Sequence, residues 1–358
     1  MQIFCFLARQ HKKKQMKVTL KDIAKETGYS ISTISRVLSN VGKISSKARE
    51  EILQAAQRLN YPTSRIAGYE LRKKHLNVAL LTDFHEGEFY ASYYYGIDGA
   101  ARAENVRLSL LNVADPRMNI KKFMTDLLAD KYYDCAIIFL PELLRKDYED
   151  LMEVIPDNFP IVSNALIENS YLSTITFDGY SAGHQAARLF YKYGYRKVGL
   201  VKGPARKAES RFRHNGFKDY IDSKPDMELV WEFQGNFEFN SGVQSFYDMT
   251  ENNHKPDAVF LCNDLMANAF VDTAIAHDVM IPDDIAVLGY DDLPMCRHNN
   301  PTISSIQTDF QQLGAATIQA LKNRFPKDGQ QHGILSLIPV TIIERESIVK
   351  KKMVVDKV

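Results

Sequence analysis

VTLKDIAKETGYSISTISRVLS, residues 18–39, decides how this 358-residue chain is read. With Ala24 as the small residue where two helices touch, Gly28 falls four positions later in a tight turn. Ile23, Ile34 and Val37 then lie on faces that must pack together. Thr19 stands three residues before Asp22 in capping-box spacing, and Ser30 is placed to cap a second helix. That second helix turns Ile31, Ser32, Ser35 and Arg36 outward. An arginine fork fits guanine O6 and N7, while serine and isoleucine make weaker polar or methyl contacts. The spacing therefore predicts a helix-turn-helix whose second helix reads base edges, with Arg36 as the main reader.

Working outward, SSKAREEILQAAQRLNY (residues 45–61) places Ile52, Ala55, Ala56 and Leu59 on one face and predicts a third helix ended by Pro62. Residues 16–62 form the expected head, and 63–75 a polar, basic linker. Residues 1–15 carry a short apolar patch with basic residues on its carboxyl side, opposite to a secretory signal. They are either a disordered arm or an extension ahead of the true start at Met16. Residues 1–75 hold 16 Lys or Arg against 5 Asp or Glu, and the remainder holds 29 against 39. A basic head on an acidic body is the charge footprint of phosphate binding, and double-stranded DNA is the expected partner.

The remainder changes texture. Runs rich in Val, Ile and Leu at 78–83, 107–113, 135–141, 160–165, 173–178, 197–203, 229–234, 258–264 and 284–292 alternate with amphipathic stretches. This predicts parallel sheets covered on both faces. Nine strands are too many for one small domain, so two doubly wound lobes are expected, about 76–175 with 306–335 and about 176–305 with 336–358. The fold class is thus multi-domain: an all-α helix-turn-helix head and an α/β body. Ligand groups gather beyond the carboxyl ends of parallel strands, which selects Asp83, Asn164, Asp178, Asn263, Asp264 and Asp291. Each also fits a turn or helix-cap role.

No apolar run approaches the roughly 20 residues needed to span a bilayer. Cys5, Cys135, Cys262 and Cys296 form no CxxC pair, as expected of reduced thiols in a cytoplasmic protein. There is no GxGxxG after the first strand, no GxxxxGK[ST], no GxSxG and no metal-spaced His or Cys set. An enzyme, a cofactor and a metal are therefore not expected.

From Met16 onward the chain resembles the lactose and galactose repressor family of bacterial transcription regulators. The likeness rests on the head, on the third helix, and on GPARKAESRFRHNGF, AVFLCNDLMA, IPDDIAVLGYDD and PTISSIQTDFQQLG in family order. It implies a periplasmic-binding-protein-like body and base reading by Ile31, Ser32 and Arg36. Thr19, Ser30, Ser35 and Tyr61 take phosphate-holding positions. In the linker, Glu70 stands where the family's minor-groove leucine belongs and Leu71 follows one residue late. Either the linker is one residue longer, with Leu71 as the wedge, or the operator is bent less; Leu71 has the fitting apolar shape. The likeness places Phe89, Tyr90, Arg213, Phe237, Asn263 and Asp291 around a small-molecule effector between the lobes. Aromatic faces with Arg, Asn and Asp suit a sugar-like effector, and a purine or nucleoside fits the same groups. The implied protein is a homodimer, with a tetramer as the larger alternative, released by its effector from a palindromic operator. The alternative is a DNA-binding regulator controlled by a protein partner or corepressor.

Overall fold

The computed structural model describes residues 18–38, 44–59, 61, 75–156, 159–167, 172–323 and 333–351. Residues 1–15, the linker at 63–74 with Leu71, and Cys5 lie outside the described residues. The chain divides into two units, Met1–Lys74 and His75–Val358.

Among its described residues the first unit holds three helices, α1 (Leu20–Thr27), α2 (Ile31–Leu38) and α3 (Ser46–Arg58). Helix α1 ends because Gly28 takes a left-handed conformation, φ 74°, and its N–H returns to the Ala24 carbonyl at 2.9 Å. The Ser30 hydroxyl accepts from the Thr33 amide at 3.1 Å, opening α2 as its spacing predicts. Ile23, Ile34, Val37, Leu38, Ile52, Leu53, Ala55 and Ala56 share one core. Tyr61 belongs to that core as well, 7% exposed.

The second unit contains two six-stranded sheets. The first lobe takes β1 (Leu76–Thr82), α4 (Glu88–Ala103), β2 (Val106–Asn112), α5 (Pro116–Asp130), β3 (Cys135–Phe139), α6 (Arg145–Met152), β4 (Ile161–Ser163) and β5 (Ser173–Phe177). The second takes α7 (Gly179–Lys192), β6 (Lys197–Lys202), α8 (Ala208–Asp222), β7 (Glu228–Gln234), α9 (Phe239–Glu251), β8 (Ala258–Leu261), α10 (Asp264–Ala276), β9 (Ala286–Asp291), α11 (Met295–His298) and β10 (Ser304–Gln307). The chain then returns to the first lobe for α12 (Phe310–Asn323), which packs on α4, and for β11 (Leu335–Ile338) beside β5. Strand β12 (Thr341–Ile343) closes the second sheet, antiparallel to β10.

Parallel pairing explains why the strands are apolar on both faces. In β1, Val78 and Leu80 enter the core under α4 and α12, while Ala79 and Leu81 enter the core under α5 and α6. The crossings fall at Phe177–Gly179, Gln307–Phe310 and Ile338–Thr341. The third corrects the expected break at 335/336: residues 336–338 stay in the first lobe because they pair with Ile175, Thr176 and Phe177.

Candidate functional site

In the head, Ile31 is 44% exposed, and Ser32, Ser35 and Arg36 share its exposed face of α2. Opposite them, Ile34, Val37 and Leu38 are buried, as a 3.6-residue period requires. Thr19 and Ser30 are exposed, although both hydroxyls have local work: Thr19 donates to Asp22 at 2.7 Å, and Ser30 lies 2.8 Å from Ser32 and Thr33 hydroxyls. Tyr61, also of the expected phosphate-holding set, is largely buried, 7% exposed. Its amide bonds back to the Ala56 carbonyl at 2.9 Å and the ring folds into the head's core, a packing role.

In the body, a cavity of about 1210 Å³ opens between the lobes and is lined by all six expected effector residues, Phe89, Tyr90, Arg213, Phe237, Asn263 and Asp291. The first lobe supplies a wall of rings. Phe89 meets Tyr90 edge-on at 5.4 Å and Phe310 at 5.6 Å, and Tyr93 lies 4.7 Å from Phe139. Asn164, at the end of β4, is 3% exposed with its amide already committed: it accepts from the Tyr93 hydroxyl at 2.8 Å and donates to the Ile175 carbonyl and Thr317 hydroxyl. This wall has shape, and its buried amide is satisfied from within. Burial pushes the Tyr90 phenol up to about 12, with Asp83 and Glu142 adding to the effect.

The second lobe holds unsatisfied polar atoms. Arg213 is 8% exposed; its guanidinium stacks 3.5 Å from the Tyr290 ring centroid, and Nη1 donates to the Cys262 carbonyl. Its Nε is buried without a hydrogen-bond partner, and so is Asp291 Oδ1. Asp291 is 4% exposed with φ 114°, and burial holds its carboxyl well above the usual carboxylate range against the pull of Arg213. Both residues line the cavity, while the two open atoms themselves are sealed from solvent behind its surface.

Asn263 serves differently from a ligand contact. Its Oδ1 accepts from the Met266 amide at 3.0 Å, capping α10, and its Nδ2 donates to the Phe237 carbonyl at 2.8 Å. That second bond holds Phe237 in the left-handed region, φ 74°, with its ring over Gly203. A Cβ at Gly203 would come within 2.0 Å of the ring, so glycine makes the ring's seat. Among the other strand-end residues, Asp178 caps α7 through the Ser181 amide at 2.9 Å, and Asp83 pairs with His85 at 3.3 Å. Asp264 is fully buried beneath the β9–α11 loop, accepting from the Leu293 amide at 2.7 Å and the Ser305 hydroxyl at 2.6 Å. Burial raises its carboxyl to about 7. Burial likewise pushes the Cys262 thiol up to about 12; Cys135, Cys262 and Cys296 are all free and buried.

Sequence reasoning missed the contacts that cross the cleft. Glu142 of the first lobe pairs with Arg206 at 2.6 Å and Lys207 at 3.0 Å of the second. Glu209 accepts from the Leu166 amide at 2.7 Å, and Glu88 from the Met295 amide at 2.8 Å. Burial pushes the Glu209 carboxyl above its ordinary value. No periodicity marks such carboxylates, since their partners lie more than forty positions away in sequence.

A helical head with one exposed polar face, joined in one chain to a two-lobed body with a lined cleft, defines a ligand-responsive DNA-binding protein by class. The family model for the lacI family of bacterial regulatory proteins matches residues 19–64, and that for a periplasmic binding protein-like domain matches residues 187–348. The chain belongs to the lactose and galactose repressor family; it is a DNA-binding transcription regulator, and the family is one of regulators rather than enzymes. It is 25% identical over 334 residues to the HTH-type transcriptional repressor PurR of Histophilus somni (strain 2336), covering 91% of this chain and 98% of that one. The PurR of Photorhabdus laumondii is 26% identical over 339 residues, covering 92% and 97%. Among solved structures, the Lac repressor bound to ONPG superposes with a TM-score of 0.70 at 24% identity, covering 92% of this chain and 99% of that chain. The regulator CelR in complex with cellobiose gives 0.66 at 22%, covering 92% and 99%. These two likenesses concern the fold. Among the described residues no helix is long and apolar enough to cross a membrane, and no cluster of His, Cys, Asp and Glu has the makings of a metal site.

Proposed function

We propose that the protein is a cytoplasmic repressor that binds a palindromic operator as a homodimer and is controlled by a small molecule held between the lobes. The observation that carries this reading is the cavity between the lobes, lined by Arg213 and Asp291 on one side and by the rings of Phe89, Tyr90 and Phe310 on the other. A ring-shaped effector lays an apolar face on Phe89, Tyr90 or Phe237 while its edge meets Arg213 and Asp291; a sugar or sugar derivative has this form. The names and titles of the relatives, a repressor in PurR and a cellobiose complex in CelR, support repression and a carbohydrate-sized occupant.

On the DNA side, Arg36 reads a guanine, with Ile31 against a thymine methyl and Ser32 beside it, while Thr19, Ser30 and Ser35 hold phosphates. A dimer brings two heads to half-sites one helical turn, about 34 Å, apart. The effector acts by preferring one relative setting of the lobes, and a coupling of roughly 1–3 kcal/mol changes operator affinity about 5- to 150-fold. The test is selection from random duplexes at moderate salt, followed by Arg36→Ala. The expected result is a palindromic consensus whose preference drops by about 1–3 kcal/mol at one position per half-site. A preference untouched by Arg36→Ala would overturn the assignment.

A further inference from the structure

Among the described residues, three of the four outer strands of the two sheets are guarded by charge and one is not. Strand β2 carries Arg107, β7 carries Glu228 and Glu232, and β12 runs directly into Glu344 and Arg345. Strand β11, between Gly333 and Pro339, has no charged residue. Its apolar side chains face solvent: Ile334 is 63% exposed, Leu335 46% and Leu337 45%. Its backbone is half used. The carbonyls of Ile334 and Ile338 accept from the Thr174 and Asp178 amides at 2.8 and 2.9 Å, so by alternation Leu335 and Leu337 turn their N–H and C=O groups to the open side. Among the described residues no strand pairs with that side. An uncharged edge with open backbone groups and exposed leucines is a template for another strand, and Pro339 confines the pairing to these few residues.

The edge reads Ile334, Leu335, Ser336, Leu337, Ile338, the same in both directions. That symmetry selects the occupant, because two copies of a palindromic strand laid antiparallel about a twofold axis at Ser336 place like against like. Leu335 then faces Leu337 of the second copy as a hydrogen-bonded pair, using the N–H and C=O left open, and the two Ser336 residues meet as a non-hydrogen-bonded pair. The leucines share one face of the strand and pack across the join. We propose that β11 pairs with β11 of a second copy, fusing two six-stranded sheets and linking one operator-binding dimer to another. Its place in the sheet supports that use. The chain enters the second unit at β1, four strands from β11, so the pairing separates the two β1 strands by nine spacings of about 4.8 Å, or about 43 Å. That is wider than the half-sites, about 34 Å apart, which the two heads of one dimer must meet. The inference rests on the homodimer reading for what each partner brings, and adds the face that joins two dimers.

The test uses the full chain. Sedimentation equilibrium at tens of micromolar gives the mass of the wild type and of the double variant Leu335→Lys, Leu337→Lys, whose new charges fall at exposed positions and oppose each other across the join. The expected result is four chains per particle for the wild type and two for the double variant, with the same operator consensus selected by both. Should the double variant fold poorly, Ser336→Cys in a Cys5→Ser background reads the register directly. A non-hydrogen-bonded antiparallel pair brings the two α-carbons to about 4.5 Å, within disulfide range, so mild oxidation links two chains; Cys135, Cys262 and Cys296 are buried. Two chains per particle in the wild type, four in the double variant, or no link through Ser336→Cys overturns the proposal. A wild type of two chains leaves the homodimer standing, whereas a wild type of single chains removes the homodimer reading as well.

Discussion

The two walls of the cleft are built on the same strand–helix plan yet differ in how their buried polar groups are satisfied. On the first lobe, Asn164 is bonded from three sides by Tyr93, Ile175 and Thr317, and the surface offered to a ligand is aromatic. On the second, Arg213 and Asp291 each keep a buried atom open, and Phe237, Asp291 and Asp292 all sit at positive φ. Within the cavity lining the open atoms fall on the second side, whereas left-handed backbone occurs on both, with Asp115 at φ 48° on the first. The first lobe therefore sets what shape enters, and the second sets what chemistry is retained.

The sharpest way to break this contrast is Arg213→Met, which keeps apolar bulk over Tyr290 and removes the guanidinium. It is expected to weaken effector binding on the order of 100-fold, about 3 kcal/mol, as measured by calorimetry with a small molecule that the wild-type cleft binds. A loss under threefold would place recognition elsewhere. Next comes Asn164→Ala, which strands the Tyr93 hydroxyl and the Ile175 carbonyl. It should lower body stability by roughly 1–3 kcal/mol in denaturant unfolding, with little change in ligand selectivity. Selectivity shifting before stability would mean that the first wall also reads chemistry.

The contrast can also be probed through pH. Asp264 has a folded-state carboxyl raised by burial to about 7 from an ordinary 3.8, so between those values the folded state binds more protons than the unfolded one. Its contribution to stability therefore declines as pH rises through that window, and the raised carboxyl of Asp291 acts in the same direction. Asp264→Asn should flatten the fall in Tm between about pH 4 and 7; an unchanged slope would show that other groups cause it.

Much of this architecture was legible in the chain. Nine strands announced themselves by apolar runs: seven are buried on both faces, and the edge strands β2 and β7 are half-exposed. The other three did not. Strand β10 reads SSIQ, its Ser304 and Ser305 buried by partners such as Ser347 and Asp264 that only the folded sheet supplies. Strands β11 and β12 lie at sheet edges and are mostly exposed or half-buried, unlike the equally short but buried β4 and β8. The six cleft residues came from family likeness, and all six line one cavity. What they do there was less visible. Asn263 spends both ends of its amide on Phe237 and α10, and Tyr61 folds inward, because hydrogen-bond saturation and burial are properties of neighbours distant in sequence.

The three short crossings between the lobes have a mechanical consequence. Strands β5 and β11 leave the first sheet side by side, and β10 and β12 adjoin in the second. Bundled ligaments of this kind resist sliding and stretching but yield to torsion, much as a leaf-spring flexure does. Whatever occupies the cleft can therefore report its presence to the rest of the molecule as an angle.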